Sequence, residues 1–389
     1  MPARDLHLSR RLLWFAHRLS QKVSQWFRRR RRAKKTVPLE IMGYRGFGNV
    51  EQVQIMGRLV EHKSWTESHA DDSWWKNARA MFRRFTRAQV PNATLEIDFD
   101  GNQRTTTTDQ AGYFRCTLPT PDSVTTDQLW HSVQVRVVSQ DSGASNGTEQ
   151  NSGTAAAATN TLPLLIPRSD SQFGVISDID DTIMHSHATD LLRLAWLTFT
   201  HNAWTRVPFE GVGAFYRALQ RGHCETRQNP VFYVSSSAWN LFDMLAEFME
   251  IHQLPKGPIL LRDLGGNKQN FIRSGHEHKL EKIERIFASC PELPFILIGD
   301  SGQQDPYLYR TVVRDFPGRV LAVYIRDVAD KNRDAVLKVR KELRDAGVEM
   351  ELVTDTEAAA IHAANHGWIP EERITDVRQD IARDQDRQE

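Results

Sequence analysis

The sequence predicts an α/β chain in two parts: a small antiparallel β-sandwich, then a parallel sheet with helices on both faces. Three observations carry that prediction. Between residues 52 and 138, short runs alternate apolar and polar residues, the period of a strand with one buried face. From residue 173 onward, continuous apolar runs alternate with helical stretches, the pattern of strands buried on both sides. The chain has 389 residues, 40% hydrophobic and 25% charged, enough for two to three domains with a sizeable core.

The first segment, 1–36, is basic and amphipathic. The net charge of +1 hides it: residues 1–35 hold twelve Lys and Arg against one acid, Asp5. Leu8, Leu12, Phe15, Leu19, Val23, Trp26 and Phe27 recur at helical spacing over 8–27, and Arg28 to Arg32 follow. Three readings fit: an interfacial membrane helix with a polybasic flank, a basic tail that binds anions without selectivity, or an organelle transit peptide. Trp and Phe in the apolar stripe favour the first. No run of 18 apolar residues occurs, so no membrane-spanning helix is expected. Leu12–Ala16 is too short for a secretory core, so the expected location is cytoplasmic and peripherally membrane-associated.

The sandwich is placed at 37–168, with strands at 52–60, 93–100, 112–118 and 132–138. Leu95, Ile97 and Phe99 alternate with polar residues, as do Val133, Val135 and Val137. Asp100-Gly101 and Ala111-Gly112 supply turns. A helix is expected over 74–87, packed on the sandwich. Residues 139–160 are small and polar and read as a flexible loop. Cys116, Cys224 and Cys290 are far apart, which excludes a disulfide scaffold or a zinc ribbon.

The α/β part is placed at 169–369, with a charged tail at 370–389 that is expected to fray. Its strands read as 173–177, 231–235, 258–262, 294–299 and 320–325, and its helices as 211–220, 239–252, 278–289 and 332–345. Such sheets bind ligands at the carboxyl ends of their strands. Asp178, Asp180, Asp181 and Thr182 follow the first strand, Ser235 and Ser236 the second, and Asp300 and Asp305 the fourth, while Lys279 opens a helix. Carboxylates from two strand ends suit a hard cation such as Mg²⁺. Asp178 can then act as a nucleophile toward a phosphate, Asp180 as its acid and base, Ser235 as a hydrogen-bond donor to phosphate, and Lys279 as fixed positive charge.

DxDxT after an apolar strand, an apolar strand ending in Ser, a lone Lys and GDxxxxD, in that order, resemble the four signatures of haloacid-dehalogenase phosphohydrolases. GVISDIDDTI, YVSSSAWNL, LLRDLG, HK and LIGDSGQQDP resemble, more narrowly, the phosphatidate phosphatase catalytic domain of the actin-patch-associated family and its bacterial relatives. The resemblance covers about 170–330, and more weakly 41–60 and 90–138. It implies a haloacid-dehalogenase-like fold and Mg²⁺-dependent conversion of phosphatidate to diacylglycerol and phosphate. It implies Asp178 as nucleophile and Asp180 as acid and base. Asp178, the Asp180 carbonyl and Asp300 become metal ligands with Asp305 in support, and Ser235, Ser236 and Lys279 bind phosphate. Ser236 stands where relatives often carry another residue.

Other readings of these residues are weaker. Asp181 reads as a turn cap and Thr182 as structural. GDSG at 299–302 is shared with serine proteases, but a parallel α/β sheet is the wrong setting. His276-Glu277-His278 lacks the spacing of a helical zinc motif, and His185 and His187 read as loop residues. The apolar stretch 190–200 reads equally as core or as a lipid-facing lip. The expected partners are phosphatidate or a related lipid phosphate and an anionic membrane surface, with no specific nucleic acid. A phosphatase for a soluble ester or phosphoprotein, and a membrane-associated interaction protein with a vestigial phosphatase fold, are the alternatives.

Overall fold

The computed structural model describes residues 38–62, 87–140, 158–184, 208–224, 228–262, 277–328 and 333–386. The basic segment at 8–27, the helix expected at 74–87 apart from Arg87, the apolar stretch at 190–200, and most of the loop at 139–160 lie outside them.

The first half forms one mixed sheet. Its strands are β1 (Leu39–Gly43), β2 (Gly46–Gly48), β3 (Gln52–Glu61), β4 (Ala93–Phe99), β5 (Asn102–Thr107), β6 (Tyr113–Pro119), β7 (Trp130–Gln140) and β8 (Thr159–Leu165). Their order is β1-β3-β2-β8-β7-β4-β5, with β6 added along β3. Along β4, Ala93, Leu95, Ile97 and Phe99 are buried and the residues between them are not, so the period-two pattern sets the inward face. Asp100 and Gly101 both take positive φ and join β4 to β5 in the tight hairpin that such a pair favours. The expected all-antiparallel pairing needs one correction: β2 runs parallel to β8, Gly46 against Leu164 and Phe47 against Leu165. The three-residue β2 turns straight back into β3 and offers its other edge to β8, whose direction is fixed by its antiparallel partner β7.

The second half is a parallel sheet of β9 (Gly174–Asp178), β10 (Val231–Ala238), β11 (Ile259–Arg262), β12 (Phe295–Asp300), β13 (Val320–Arg326) and β14 (Glu349–Val353), ordered β11-β10-β9-β12-β13-β14. Its helices are α1 (Val212–Arg221), α2 (Phe242–Ile251), α3 (Glu277–Ser289), α4 (Asp305–Asp315), α5 (Arg333–Asp345), α6 (Thr356–Asn365) and α7 (Glu372–Asp386). Alternate strand residues feed two separate cores. Val175, Tyr233, Ile298 and Tyr324 meet α1, α2, α6 and α7 on one face. Ile176, Phe232, Leu297 and Val323 meet α3, α4 and α5 on the other. Both faces are therefore dry, which is why these strands are apolar throughout.

The expected frayed tail is a docked helix. Val377 on α7 is fully buried. The first helix of this half, α1, begins at Gly211 without a side-chain cap of its own. Instead Asp384 accepts from the Gly211 amide at 3.0 Å and Asp380 from the Ala214 amide at 2.9 Å. Two acids of the charged tail thus satisfy amides that a helix start leaves open, where the helix dipole also favours negative charge.

The two halves share a packed seam. Tyr44, in the turn between β1 and β2, belongs to the core of the second half. Its ring lies 4.4 Å from that of Trp239 and 4.7 Å from that of Phe242. Phe47 meets Phe232 edge-on. Arg45 donates to the Gly257 carbonyl at 2.9 Å, and Arg285 to Gln54 at 2.6 Å.

Candidate active site

The parallel sheet carries its acids out of the core at strand ends. Asp178 is the last residue of β9 and Asp300 the last of β12, and these strands are neighbours. After β9 the chain folds into a tight loop in which the Ile183 amide returns to the Ile179 carbonyl and the Asp181 amide to that of Met184. Asp181 sits there at φ 58°, a left-handed conformation that Asp tolerates better than most residues. The loop turns Asp180 back over the strand ends. After β12, Gly299 and Asp300 lead into α4, whose first residue is Asp305. A Cβ on Gly299 would lie 2.7 Å from the Asp305 carboxylate, so glycine is what lets that acid come down onto the strand end.

Lys279, near the start of α3, is inserted between two of these acids. Its Nζ lies 2.7 Å from Asp178 Oδ1 and 2.8 Å from Asp305 Oδ1. All four groups are buried: Lys279 is 4% exposed, Asp178 2%, Asp305 1% and Asp300 0%. Asp178, Asp300 and Asp305 each bring a ligand atom within 4.8 Å of the others. Three carboxylates around one ammonium leave two negative charges in a dry space. Burial, opposed by Lys279 and reinforced by Asp305, Asp180 and Asp300, holds Asp178 well above the usual carboxylate range. Burial and Asp305 push Asp300 up to about 8. For Lys279, burial works against the charge, but Asp178 and Asp305 outweigh it and its pKa rises.

The remaining expected residues sit close by. Ser235 Oγ donates to Asp180 Oδ2 at 2.8 Å and accepts from the Ser237 amide at 2.9 Å. Ser237 Oγ also reaches Asp180 Oδ2, at 3.3 Å. The two serines are two apart on β10 and share a face of the strand. Ser236, between them, is half-buried. Thr182 is buried in the loop. His185, His187 and His276 lie outside the described residues.

Three functional side chains escaped the sequence reading. Gln303 donates through Nε2 to the Asp180 carbonyl at 2.8 Å and to Asp178 Oδ2 at 3.4 Å, while its backbone amide donates to Asp300 Oδ1 at 2.8 Å. Ser237 joins Ser235 on Asp180. Lys282, one turn after Lys279, donates to the Ser235 carbonyl at 3.0 Å, and burial, with Lys279 and Arg262 nearby, lowers its pKa to about 7. Beyond it a cavity of about 510 Å³ opens between the two sheets, lined by Arg45, Arg115, Arg262, Lys282 and Arg285 with one acid, Glu281. Only the GD motif hinted at Gln303, three residues past its Asp.

The cluster fits a divalent cation. Among the described residues Asp300 Oδ2 is buried without a hydrogen-bond partner, the three carboxylates when ionised would outnumber Lys279 by two charges, and every donor is an oxygen, the set that Mg²⁺ prefers. The Gln303 amide already places a positively polarised group between Asp178 and the Asp180 carbonyl.

Residues 173–327 match the family model described as the catalytic domain of phosphatidate phosphatase APP1. This region is similar to that family's catalytic domain. It runs from β9 to the end of β13 and contains every site residue described above. Phosphatidate phosphatase APP1 of Saccharomyces cerevisiae is 34% identical over 163 residues, 41% of this chain and 27% of that one. An uncharacterized protein of Schizosaccharomyces pombe is 30% identical over 155 residues, 40% of this chain and 25% of that one. The chain therefore spans about a quarter of the length of the curated relatives it matches. Among solved structures, a carbohydrate acetylesterase from Xanthomonas citri aligns over 80% of this chain and 74% of that one at 11% identity, with a TM-score of 0.25, too distant to bear on the fold.

Proposed function

We propose that this chain is a Mg²⁺-dependent phosphatidate phosphatase of haloacid-dehalogenase type, hydrolysing a lipid phosphate monoester to diacylglycerol and phosphate. The observation that carries the reading is Lys279 clamped between Asp178 and Asp305 beside buried Asp300, within a region similar to a phosphatidate phosphatase catalytic domain.

The Asp178 carboxylate attacks phosphorus, and the new O–P bond makes an aspartyl-phosphate as the bond to the glycerol oxygen breaks. Asp180 gives that oxygen its proton. It then takes a proton from the water that attacks phosphorus and returns Asp178 to its carboxylate. Ser235 and Ser237, bonded to Asp180 Oδ2, fix the direction of that acid. Lys279 offsets charge on Asp178 and on the phosphoryl oxygens. Ser236, and Ser235 once it gives up its bond to Asp180, would donate to phosphate when substrate enters. Asp178, the Asp180 carbonyl and Asp300, backed by Asp305, would hold Mg²⁺, which would screen the nucleophile from the anionic phosphate.

The division into 37–168, with the first sheet as a β-sandwich, and a catalytic domain from 169 is part of this reading, with α7 counted in the second domain. So is a peripheral position on the cytoplasmic face of an anionic membrane, held by residues 1–36. No helix among the described residues is long and apolar enough to cross a membrane. The basic cavity beside Lys282 favours an anionic ligand near the site.

The test is phosphate release from phosphatidate in mixed micelles with Mg²⁺, alongside a soluble aryl phosphate. The wild type is compared with Asp178→Asn. Lipid hydrolysis that vanishes in the variant and in EDTA is expected. Hydrolysis of the aryl ester alone would keep the chemistry and reject the lipid, favouring a soluble ester or phosphoprotein. Inactivity on both would favour an interaction protein with a vestigial site.

A further inference from the structure

A second cluster of metal-ligating side chains lies at the other end of the same sheet. His362 lies in the last turn of α6, and His366, four residues on, is the residue that caps the helix, so both rings stand at its C-terminal end. Opposite them stands Glu349, the first residue of β14. His362 Nε2 is 2.8 Å from Glu349 Oε2, and His366 Nε2 is 3.4 Å from the same oxygen. One ligand atom from each of the three lies within 4.8 Å of the others. The catalytic acids sit at the carboxyl ends of the strands. Glu349 is level with Ala322, whereas Asp300 is level with Arg326 and Val353. Four residues along a strand is about 13 Å, so the two clusters are separate.

The rings are aimed. His366 Nδ1 lies 3.0 Å from the His362 carbonyl, which can only accept. Nδ1 must therefore carry the proton, and in the neutral ring Nε2 presents a lone pair. Where the ring is neutral, that lone pair faces a carboxylate oxygen, and either a proton or a metal ion between the two acceptors satisfies both. The ring is held by Trp368, stacked at 4.7 Å and 24°. His362 Nδ1 meets the Tyr324 hydroxyl at 2.9 Å, and that hydroxyl can donate or accept. It can therefore accept a hydrogen bond from an Nδ1–H when Nε2 turns to a metal, the outer-sphere support common for metal-bound histidine. With bond lengths of about 2.0–2.1 Å, donors of a tetrahedral zinc ion stand about 3.3 Å apart. The 3.4 Å spacing matches that, and the 2.8 Å hydrogen bond between His362 and Glu349 would open by about half an ångström.

We propose that Glu349, His362 and His366 form a second metal site, selective for zinc-like divalent ions over Mg²⁺, that clips α6 to the edge strand β14. Two imidazoles and one carboxylate suit Zn²⁺, Co²⁺, Ni²⁺ or Cu²⁺, whereas Mg²⁺ takes oxygen donors. Three protein ligands leave a fourth position for water. The site does not depend on the phosphatase reading.

The test uses the full chain, stripped by chelator and kept in millimolar Mg²⁺ to occupy the catalytic acids. Zn²⁺ is titrated calorimetrically into the wild type, His366→Gln, Glu349→Gln and Asp300→Asn. The expected result is one Zn²⁺ per chain for the wild type and Asp300→Asn, at least tenfold weaker binding in the other two, and a Zn²⁺-induced rise in Tm confined to the first pair. Equal affinity in all four would overturn the site and leave the trio as a protonated ion pair. Loss only in Asp300→Asn would place the zinc at the catalytic acids and overturn it equally. Because a variant can also fail to fold, Co²⁺ is added to the wild type alone. The intense visible bands of tetrahedral Co²⁺, with protection of His362 and His366 from acylation, support the site. Weak octahedral bands without protection reject it.

Discussion

Asp300→Asn should stabilise the metal-free protein while destroying its activity. Asp300 is fully buried, and Oδ2 has no hydrogen-bond partner among the described residues. Burial and Asp305 push its pKa to about 8, against 3.8 in an unfolded chain. Between those values the native state holds a proton that the unfolded chain has released, so stability falls as pH rises from about 4 to 8. At neutral pH the cost reaches at most about 4 kcal/mol, at 1.36 kcal/mol per pKa unit. An asparagine keeps Oδ1 for the Gln303 amide, which donates to it at 2.8 Å, and turns the orphaned oxygen into a donor among carboxylates. The assay is urea unfolding in EDTA at pH 5 and pH 8. The wild type should lose stability across that interval, and the variant should lose much less. At pH 8 the variant should melt higher, by up to roughly 10 °C. Millimolar Mg²⁺ should raise the wild-type Tm at pH 8 and leave the variant unchanged. A variant less stable than wild type at pH 8 in EDTA, or one that still responds to Mg²⁺, would refute the argument that these carboxylates are strained until a cation balances them.

Other substitutions probe the remaining contacts. Lys279→Ala strands Asp178 and Asp305 without their shared cation and should cost about 3–5 kcal/mol in chemical unfolding at pH 7; a loss below 1 kcal/mol would mean the acids are already neutral. Gly299→Ala places a Cβ 2.7 Å from the Asp305 carboxylate and should lower kcat at least tenfold with the fold retained; unchanged kcat would show that Asp305 need not sit so close. Tyr44→Ala removes a ring stacked on Trp239 and tilted against Phe242 and should cost about 3–5 kcal/mol, read as a fall in the urea midpoint. Deleting residues 1–35 should weaken sedimentation with anionic liposomes and leave aryl phosphate hydrolysis intact. An equal loss of both would make the segment structural and not a tether.

The parallel sheet was legible because its strands are unbroken apolar runs whose last residues change abruptly to Asp or Ser. The convergence of Asp178, Asp180, Ser235, Lys279, Asp300 and Asp305 followed from that topology. Contacts that depend on side-chain reach were not legible. Gln303 and Lys282 carry no motif, and only the packing of the loop after β12 and of α3 brings them to Asp180 and Ser235. Strand β14 was missed because its sequence, EMELV, carries acids at two of its five positions. The charged tail reads as solvated until α1, which lacks its own cap, is seen to use Asp380 and Asp384. His362 and His366 show helical ligand spacing in the sequence, but Glu349 reaches them only through the return of α6 along β14.

Tyr44 has a consequence for how such a chain can be cut and inherited. The stretch that matches the catalytic family ends at residue 327, yet the core beneath the site does not. Val353, Ala360 and Val377 from beyond that end, and Tyr44 from more than a hundred residues before its start, complete the same apolar cluster. A gene fusion or an expression clone trimmed to the matched stretch would carry every catalytic residue and expose Trp239 and Phe242 to water. The front sheet and the last two helices must therefore travel with the site, and the smallest unit that recombination can move intact is close to the whole of the described fold.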